Sequence, residues 1–574
     1  MKDRTSKLDS MKMTPIVQFT TLSFLKILGL FFFAGTVQSQ TIGLTNYTIP
    51  NTDGYVLFAP VSNTQTYLID KCGNEIHSWP SDYKPGLSVY LSTDGTLFRT
   101  GSLTTPYFGV GAGKGGIIER INWDGTVAWS YQVSDSLQCQ HHDAKLLPNG
   151  NILVIVWEMK SFSECTAAGK NPTVTAAITD QVVWSEKIIE LQPIGTNSAT
   201  VVWEWHLWDH LVQDFDATKS NFGTVADHPE LVDVNYVQGP ATSADWIHIN
   251  SIDYNAESDQ ILLSTHNLSE IWIIDHSTTS TEAASHSGGN SAKGGDFLYR
   301  WGNPMVYDRG TASEQQLFKQ HHATWIPTGN PNAGKVLVFN NGVNRPGGNA
   351  SSVDIIDIPD QVNNNYPIGN GVAYEPTAPF WTYQDPIPTD FYATNISGVY
   401  PLDNGSFIIT NGPKGTAFEI NANEEKVWEY INPVTTSGPM TQGATPTANS
   451  VFRFNYYPAN YQGFSGQNLI AGSEIELNPI DPPLCGNLGV QLMEESRFSI
   501  FPNPATTEIG IVAPSTNEET TLQLFDIHGQ CVLHQTLQLG ESELKLSVSD
   551  FQKGIYFLVI SNQTTELTER IILQ

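Results

Sequence analysis

An all-β chain, built as a six-bladed β-propeller of four-stranded sheets with a small β-sandwich after it, is what three features of this sequence predict. Charged residues are only 15% of 574, while Gly (47), Trp (14) and Tyr (21) are plentiful, a balance that suits short buried strands joined by tight turns. A turn-plus-strand phrase recurs as "YLSTDGTLFRTG" from Tyr90, "LLPNGNILVIVW" from Leu146, "YNAESDQILLST" from Tyr254, "IPTGNPNAGKVLVFN" from Ile326 and "PLDNGSFIITNG" from Pro401. A second phrase, strand then turn then tryptophan, recurs as "YLIDKCGNEIHSW", "IERINWDGTVAWSY", "IIELQPIGTNSATVVWEW", "GDFLYRWGNP", "PFWTYQDP" and "FEINANEEKVWEYINP". Six tryptophan strands and five or six turn strands predict six sheets, and radial closure removes the exposed edges that a row of sheets would leave. A β-sandwich or a solenoid would repeat the tryptophan phrase less regularly.

The elements follow in chain order. Residues 1–39 hold basic residues and then the apolar run "LSFLKILGLFFFAGTVQS", too short for a comfortable span and ending in small residues. That pattern predicts a signal peptide cut near Ser39 and no transmembrane anchor in the mature chain. Residues 40–477 carry the repeats, each a tight turn feeding a buried strand, with a long loop inserted at Ser277 to Asp296. Residues 478–494, opening "NPIDPPLCGNLG", read as a proline-rich linker. Residues 495–574 hold "FSIFPNPATTEIGIVA", "TLQLFDIHGQCVLH", "LKLSVSDFQKGIYFLVIS" and "ERIILQ", the strands of a separate small β-sandwich.

The charge is −30, from 58 acids against 28 bases, a field that repels phosphate backbones and excludes nucleic acid as a partner. Five cysteines are too scattered for a disulfide scaffold or a zinc finger. Their spacing allows a Cys139–Cys165 bridge and leaves at least one thiol unpaired. "GAGKGG" at Gly111 to Gly116 fits a dinucleotide pattern but is followed by the strand-like "IIERINW", where phosphate binding needs a helix start.

Histidine placement is the functional signal. His142 lies seven residues before the Asn149 turn, His248 seven before Asn255, and His321 seven before Thr328, whereas the same count from Asp94 and Asn404 gives Leu87 and Ser397. Equivalent positions in a closed ring of sheets face its axis, so the three imidazoles should converge. Strand alternation would turn their neighbours His141 and His322 away from that ring. The far end of the next strand yields Trp157, His266, Asn341 and Gly412, with Arg345 in "NNGVNRPGG" just past it. No carboxylate or thiolate shares the register, so no metal and no cofactor is expected. Several imidazoles and a guanidinium suit transfer of a sulfuryl or phosphoryl group: one neutral histidine attacks, and others hold the oxygens and move a proton. The acidic chain favours a monoanionic ester over a nucleotide.

Two stretches of the chain resemble known families. "FPNP" with Pro502 and Pro504, the "DIHGQ" turn and "GIYFLVI" resemble the C-terminal sorting domain of type IX secretion cargo. That implies export through the periplasm by the type IX machinery to the cell surface or the medium. "GYVLFAPVSNTQTYLIDKCGNEIHSW", "QHHDAKLLPNGNILVIVWE", "DWIHINSIDYNAESDQILLS", "QHHATWIP" and "ISGVYPLDNGSFIITNG" resemble the bacterial arylsulfate sulfotransferases over roughly residues 45 to 470. The resemblance implies a six-bladed propeller moving a sulfuryl group from an aryl sulfate ester to a phenolic acceptor through a sulfohistidine, with no nucleotide donor. It further implies His321 as nucleophile, His142 and His248 as sulfate contacts and proton carriers, and His266 at a sulfate-binding position; the strand-end register adds Asn341 and Arg345 to the substrate-binding set. The family's "SSR" reads "STH" here, so His266 stands for an arginine, and "QHD" has become "QHH" at His322. Those departures also fit an alternative, a catalytically lapsed propeller that binds sulfated or aromatic ligands at the cell surface.

Overall fold

A computed structural model describes residues 40–574 apart from 49–52, 110–112, 179, 237–242, 481–484, 486–498, 513–519, 538–542 and 562–565. The expected signal peptide and nearly all of the expected linker lie outside the described residues. The chain is all-β, with only short helices between strands.

Among the described residues, 43–458 form six antiparallel sheets of four or more strands, five of four and one of five, beside two two-stranded pairs. Within a sheet the strands run in sequence order from an innermost to an outermost strand. The second sheet is Pro85–Leu91, Leu97–Ser102, Gly116–Ile121 and Val127–Gln132. The third is Gln138–Leu146, Ile152–Ser161, Val182–Ile194 and Ser198–His206. The fourth is Ile249–Asn255, Gln260–Thr265, Glu270–Asp275 and Tyr299–Trp301. The fifth is His321–Trp325, Val336–Asn340, Ser352–Ile356 and Trp381–Tyr383, and the sixth begins with Gly398–Pro401.

The first sheet differs in origin. Its innermost strand, Val451–Pro458, comes from the far end of the repeats and pairs with Gly54–Pro60. Gly43–Tyr47 in turn adds to the outer edge of the sixth sheet, on Lys426–Ile431. This explains why five turn phrases accompany six tryptophan phrases. The first sheet's inner hairpin is made from two distant segments, so no turn joins them.

Each tryptophan phrase lies in the outer strand or strands of one sheet. Trp79, Trp129, Trp203, Trp301 and Trp428 are buried, filling the space between neighbouring sheets. The inner strands read as continuous apolar runs such as "QILLST" because both their faces are covered. These innermost strands touch one another in cyclic order, from Val451–Pro458 through the second to the sixth sheet and back again. Each sheet nevertheless keeps its own hydrogen-bonded ladder, and the sheets do not join into one closed sheet.

The ladder is interrupted near the start of the innermost strand in five sheets, between Phe58/Pro60, Pro85/Val89, Val154/Val156, Ile249/Ser251 and His321/Thr324. At or beside these points stand left-handed residues, Leu87 (φ 95°), His142 (φ 51°), His248 (φ 59°) and His322 (φ 53°), and Ser397 (φ 89°) precedes the sixth sheet. Such bulges re-aim side chains at a sheet rim. Four of these residues are the ones picked out by counting back from the turns.

Loops hang on this frame. The 277–296 insertion sits between the third and fourth strands of the fourth sheet and includes the short helix Ser280–Ala283. The Cys139–Cys165 bridge that the spacing allows is not formed: both thiols are buried and free, and the disulfide joins Cys72 to Cys485. Cys139 extends from the third sheet's innermost strand while Cys165 lies in a helix beyond the second. Beyond residue 498, a three-stranded and a four-stranded sheet share one apolar cluster that includes Ile509, Ile511, Leu522, Leu524, Leu558 and Ile560.

At the centre, Arg453 Nη1 donates to Asp143 Oδ2 at 2.6 Å and to the Tyr90 hydroxyl at 3.0 Å, and Nη2 donates to the Asn250 carbonyl at 2.9 Å. Removing one partner of a buried pair strands the other charge without water. Arg453→Met should therefore destabilise the protein by about 3–5 kcal/mol, read as a lower urea midpoint in equilibrium unfolding.

Candidate active site

Four imidazoles form a chain across the rim where the innermost strands begin. Ring centroids are 4.4 Å apart for His142 and His248, 5.0 Å for His248 and His266, and 5.3 Å for His266 and His321. His142 and His248 are carried by bulges of the third and fourth sheets, His321 opens the fifth, and His266 ends the fourth sheet's second strand. The His266 amide donates to the His248 carbonyl at 3.1 Å, so the hairpin itself sets these two rings side by side.

Each ring is held from behind through Nδ1. His321 Nδ1 donates to Asn341 Oδ1 at 2.8 Å, and the Asn341 amide nitrogen donates to the carbonyls of Ala393 (3.0 Å) and Ile396 (3.1 Å). The two carbonyls fix which way the amide points, so the His321 proton sits on Nδ1 and Nε2 bears the lone pair. His248 Nδ1 donates to Asp245 Oδ2 at 2.5 Å. His266 Nδ1 donates to Asn267 Oδ1 at 2.9 Å, and Asn267 Nδ2 is itself anchored on the Asp245 carbonyl at 3.0 Å. His142 differs, because its Nδ1 faces His141 Nδ1 at 2.8 Å.

That last contact corrects one expectation. His141 does not turn away, because the bulge at residues 141–143 breaks strand alternation. Its ring stacks on Trp157 with centroids 4.1 Å apart, and its Nε2 lies 2.8 Å from Glu186 Oε2. His322 does turn away: its Nδ1 accepts from the Val399 amide at 3.1 Å and its ring packs beside Tyr400. Asn341 stands behind His321 rather than beside the other rings. Arg345 lies apart, donating to Ser352 Oγ at 2.8 Å and lying over the Phe318 ring.

Electrostatics favour the neutral forms of His142, His266 and His321. Burial, reinforced by the neighbouring imidazoles, pushes His142 and His266 well below the usual imidazole range. Burial brings His321 down to about 3, against the opposing hydrogen bond to Asn341. Lys319, lowered by burial to about 8, adds to the positive field on His266. His266 therefore does not carry an arginine's fixed charge, and Lys319 is a cation beside it.

Sequence reasoning missed Asp245, Asn267, Lys319, Glu186 and Arg453. Asp245 was visible three residues before His248, and Glu186 as an acid inside the apolar run "VVWSEKIIEL". "GAGKGG" also gains a role. The His142 amide donates to the Gly113 carbonyl at 2.8 Å, and a Cβ on Gly113 (φ 82°) would overlap the His142 imidazole. Glycine there lets the loop lie directly on the ring. Among the described residues, the group of three donors close enough for one metal ion is His210, His286 and Asp296, on and beside the 277–296 insertion and apart from this chain of rings.

Four Nε2 atoms fastened from behind, one of them a fixed lone pair, form a proton-accepting pocket that can attack or clasp a small tetrahedral group. The sequence profile of the arylsulfotransferase (ASST) family matches residues 64–453, which include every ring named above. The chain belongs to the arylsulfotransferase family. A secretion-system C-terminal sorting domain matches residues 499–574, so this arylsulfotransferase is exported by the type IX route to the cell surface or beyond. No helix among the described residues is long and apolar enough to cross a membrane. No curated protein matches.

Solved structures similar to this arylsulfotransferase are remote. A protein of unknown function from Bacteroides caccae is 12% identical with a TM-score of 0.38, over 70% of this chain and 98% of that one. A streptogramin B lyase is 10% identical at 0.33, over 73% and 94%. The β-propeller domain of Cps50 (Swd1) from Myceliophteria thermophila is 10% identical at 0.33, over 68% and 90%.

Because His321 is lowered to about 3 in the folded arylsulfotransferase, the unfolded chain holds more protons between that value and about 6.5. Stability therefore rises with pH across the interval and is lost on acidification. Chemical unfolding measured at steps from pH 7 to pH 4 should show that loss, and His321→Asn should lose less than wild type over the same steps.

Proposed function

We propose that this arylsulfotransferase moves a sulfuryl group from an aryl sulfate monoester to a phenolic acceptor through a sulfated His321, without a nucleotide donor. The observation carrying the reading is the Asn341-fixed tautomer of His321, which leaves Nε2 as a neutral nucleophile within a row of imidazoles. In the first half-reaction the His321 Nε2 lone pair forms a bond to sulfur and the sulfur–aryl oxygen bond breaks, the phenolate oxygen keeping the electron pair. In the second, an acceptor phenolate takes the sulfuryl group and the pair returns to Nε2. His142, His248 and His266 surround the transferring oxygens, and Lys319 supplies positive charge on the His266 side. The net charge of −30 disfavours a polyanionic donor.

The supporting frame is read as a six-bladed β-propeller over residues 40–477, closed by Val451–Pro458, with a C-terminal β-sandwich as the sorting domain. Residues 1–39 are the signal peptide of the same reading and 478–494 its linker.

4-Nitrophenyl sulfate with excess phenol tests the transfer. Wild type should release nitrophenolate, and intact mass after donor alone should show one added sulfuryl group on His321. His321→Asn should abolish both, a loss of about 10³-fold or more. Donor binding without that mass gain would favour the ligand-binding alternative. Anion binding raises the affinity of depressed imidazoles for protons, so donor affinity should increase as pH falls from 8 to 6. Constant affinity over that range would argue against imidazole contacts with the sulfate.

A further inference from the structure

Transfer between phenols needs a proton as well as a nucleophile. His248, His266 and His321 each place an Nδ1 proton on an oxygen acceptor, so in their neutral forms they show the pocket only lone pairs at Nε2. His142 is different, because its Nδ1 partner is another ring nitrogen that can either give or take a proton. What His142 Nε2 presents therefore depends on what lies behind His141.

Behind His141 lies one carboxyl group. His141 Nε2 is 2.8 Å from Glu186 Oε2, and the other oxygen, Oε1, accepts from the Ile249 amide at 2.9 Å. Glu186, His141 and His142 are essentially sealed from solvent, at 0%, 0% and 2% exposure. Trp157 stacks on His141 with an interplanar angle of 7°, and the His141 and His142 rings stand at 85°, so the path of nitrogens is held in place. Two states that differ by one proton fit this path. With Glu186 protonated, its hydroxyl donates to His141 Nε2, His141 Nδ1 donates to His142 Nδ1, and His142 Nε2 carries a hydrogen into the pocket. With Glu186 ionised, each bond reverses and His142 Nε2 shows a lone pair.

We propose that Glu186, His141 and His142 form a proton relay that supplies the leaving phenolate and drains the incoming phenol, a role that rests on the transfer reading above. As the sulfur–oxygen bond breaks, the phenolate oxygen takes the His142 Nε2 proton. His142 Nδ1 then takes the His141 Nδ1 proton, and His141 Nε2 takes the Glu186 proton. The acceptor phenol reverses the sequence, returning its proton to Glu186 before its oxygen attacks sulfur. When the three protons move together, His141 and His142 stay neutral throughout. Burial and Asp245 push Glu186 well above the usual carboxylate range, and burial with His248 pushes His141 well below that of imidazole, which suits the protonated-carboxyl arrangement at rest. The titratable groups facing the path are Asp245, His248, His266 and His321. In this scheme His142 is the catalytic residue, and His141 and Glu186 are positioning residues that act through it.

Leaving-group dependence separates a relay from a structural role. Glu186→Gln keeps donors and acceptors for His141 and the Ile249 amide but cannot release a proton. First-turnover sulfation of His321 should fall about 10²-fold with phenyl sulfate, whose phenolate needs a proton, and change little with 2,4-dinitrophenyl sulfate, whose phenolate does not. His141→Gln, which interrupts the path between two intact ends, should give the same split if the first variant fails to fold. Equal losses with both donors would overturn the relay and leave the transfer reading standing. Failure of wild type to sulfate His321 with either donor would overturn both.

Discussion

One guanidinium gathers the inner face of the molecule. Arg453, on the innermost strand of the first sheet, binds Tyr90 of the second, Asp143 of the third and Asn250 of the fourth. Gly398 of the sixth sheet passes so near that a side chain there would press on Arg453 and on His322. A charge so enclosed is tolerable only with its counter-ion and its donors satisfied. Asp143 directly follows His142, so the pairing that anchors the axis also sets where the third sheet bulges. The field of Arg453 reaches His321 and His322 and helps keep both unprotonated.

Above that anchor, the chemistry depends on what lies behind each ring rather than on the rings alone. An imidazole can offer a proton or a lone pair, and the choice is made by the atom bound to its other nitrogen. Asn341, Asn267 and Asp245 make that choice for three rings. His141 leaves it open for the fourth. His266 brings no permanent charge to this group, and Lys319, lowered by burial to about 8, is a nearby source of positive field.

Much of this was written in the sequence. Counting back from the turns found Leu87, His142, His248 and Ser397, which prove to be left-handed residues at equivalent rims. It worked because four inner hairpins, those of the second, third, fourth and sixth sheets, repeat the same number of residues between left-handed residue and turn. The count predicted convergence but failed for His141, since alternation holds only in an unbroken ladder. Asp245, Asn267 and Glu186 were hidden for another reason: a supporting partner needs only to reach a nitrogen from behind, which imposes no repeat. The cysteine pairing was equally invisible, as Cys72 and Cys485 lie 413 residues apart and only the folded chain brings them together.

The first sheet is completed by Val451–Pro458, the last strand of the repeats to be synthesised. A ribosome-bound or prematurely ended chain lacks that strand, and with it the group that neutralises Asp143. Maturation of the pocket is thereby deferred until the whole repeat region has emerged, close to when the C-terminal export address follows. Strand order thus makes the Arg453–Asp143 pair among the last central contacts that the emerging chain can form.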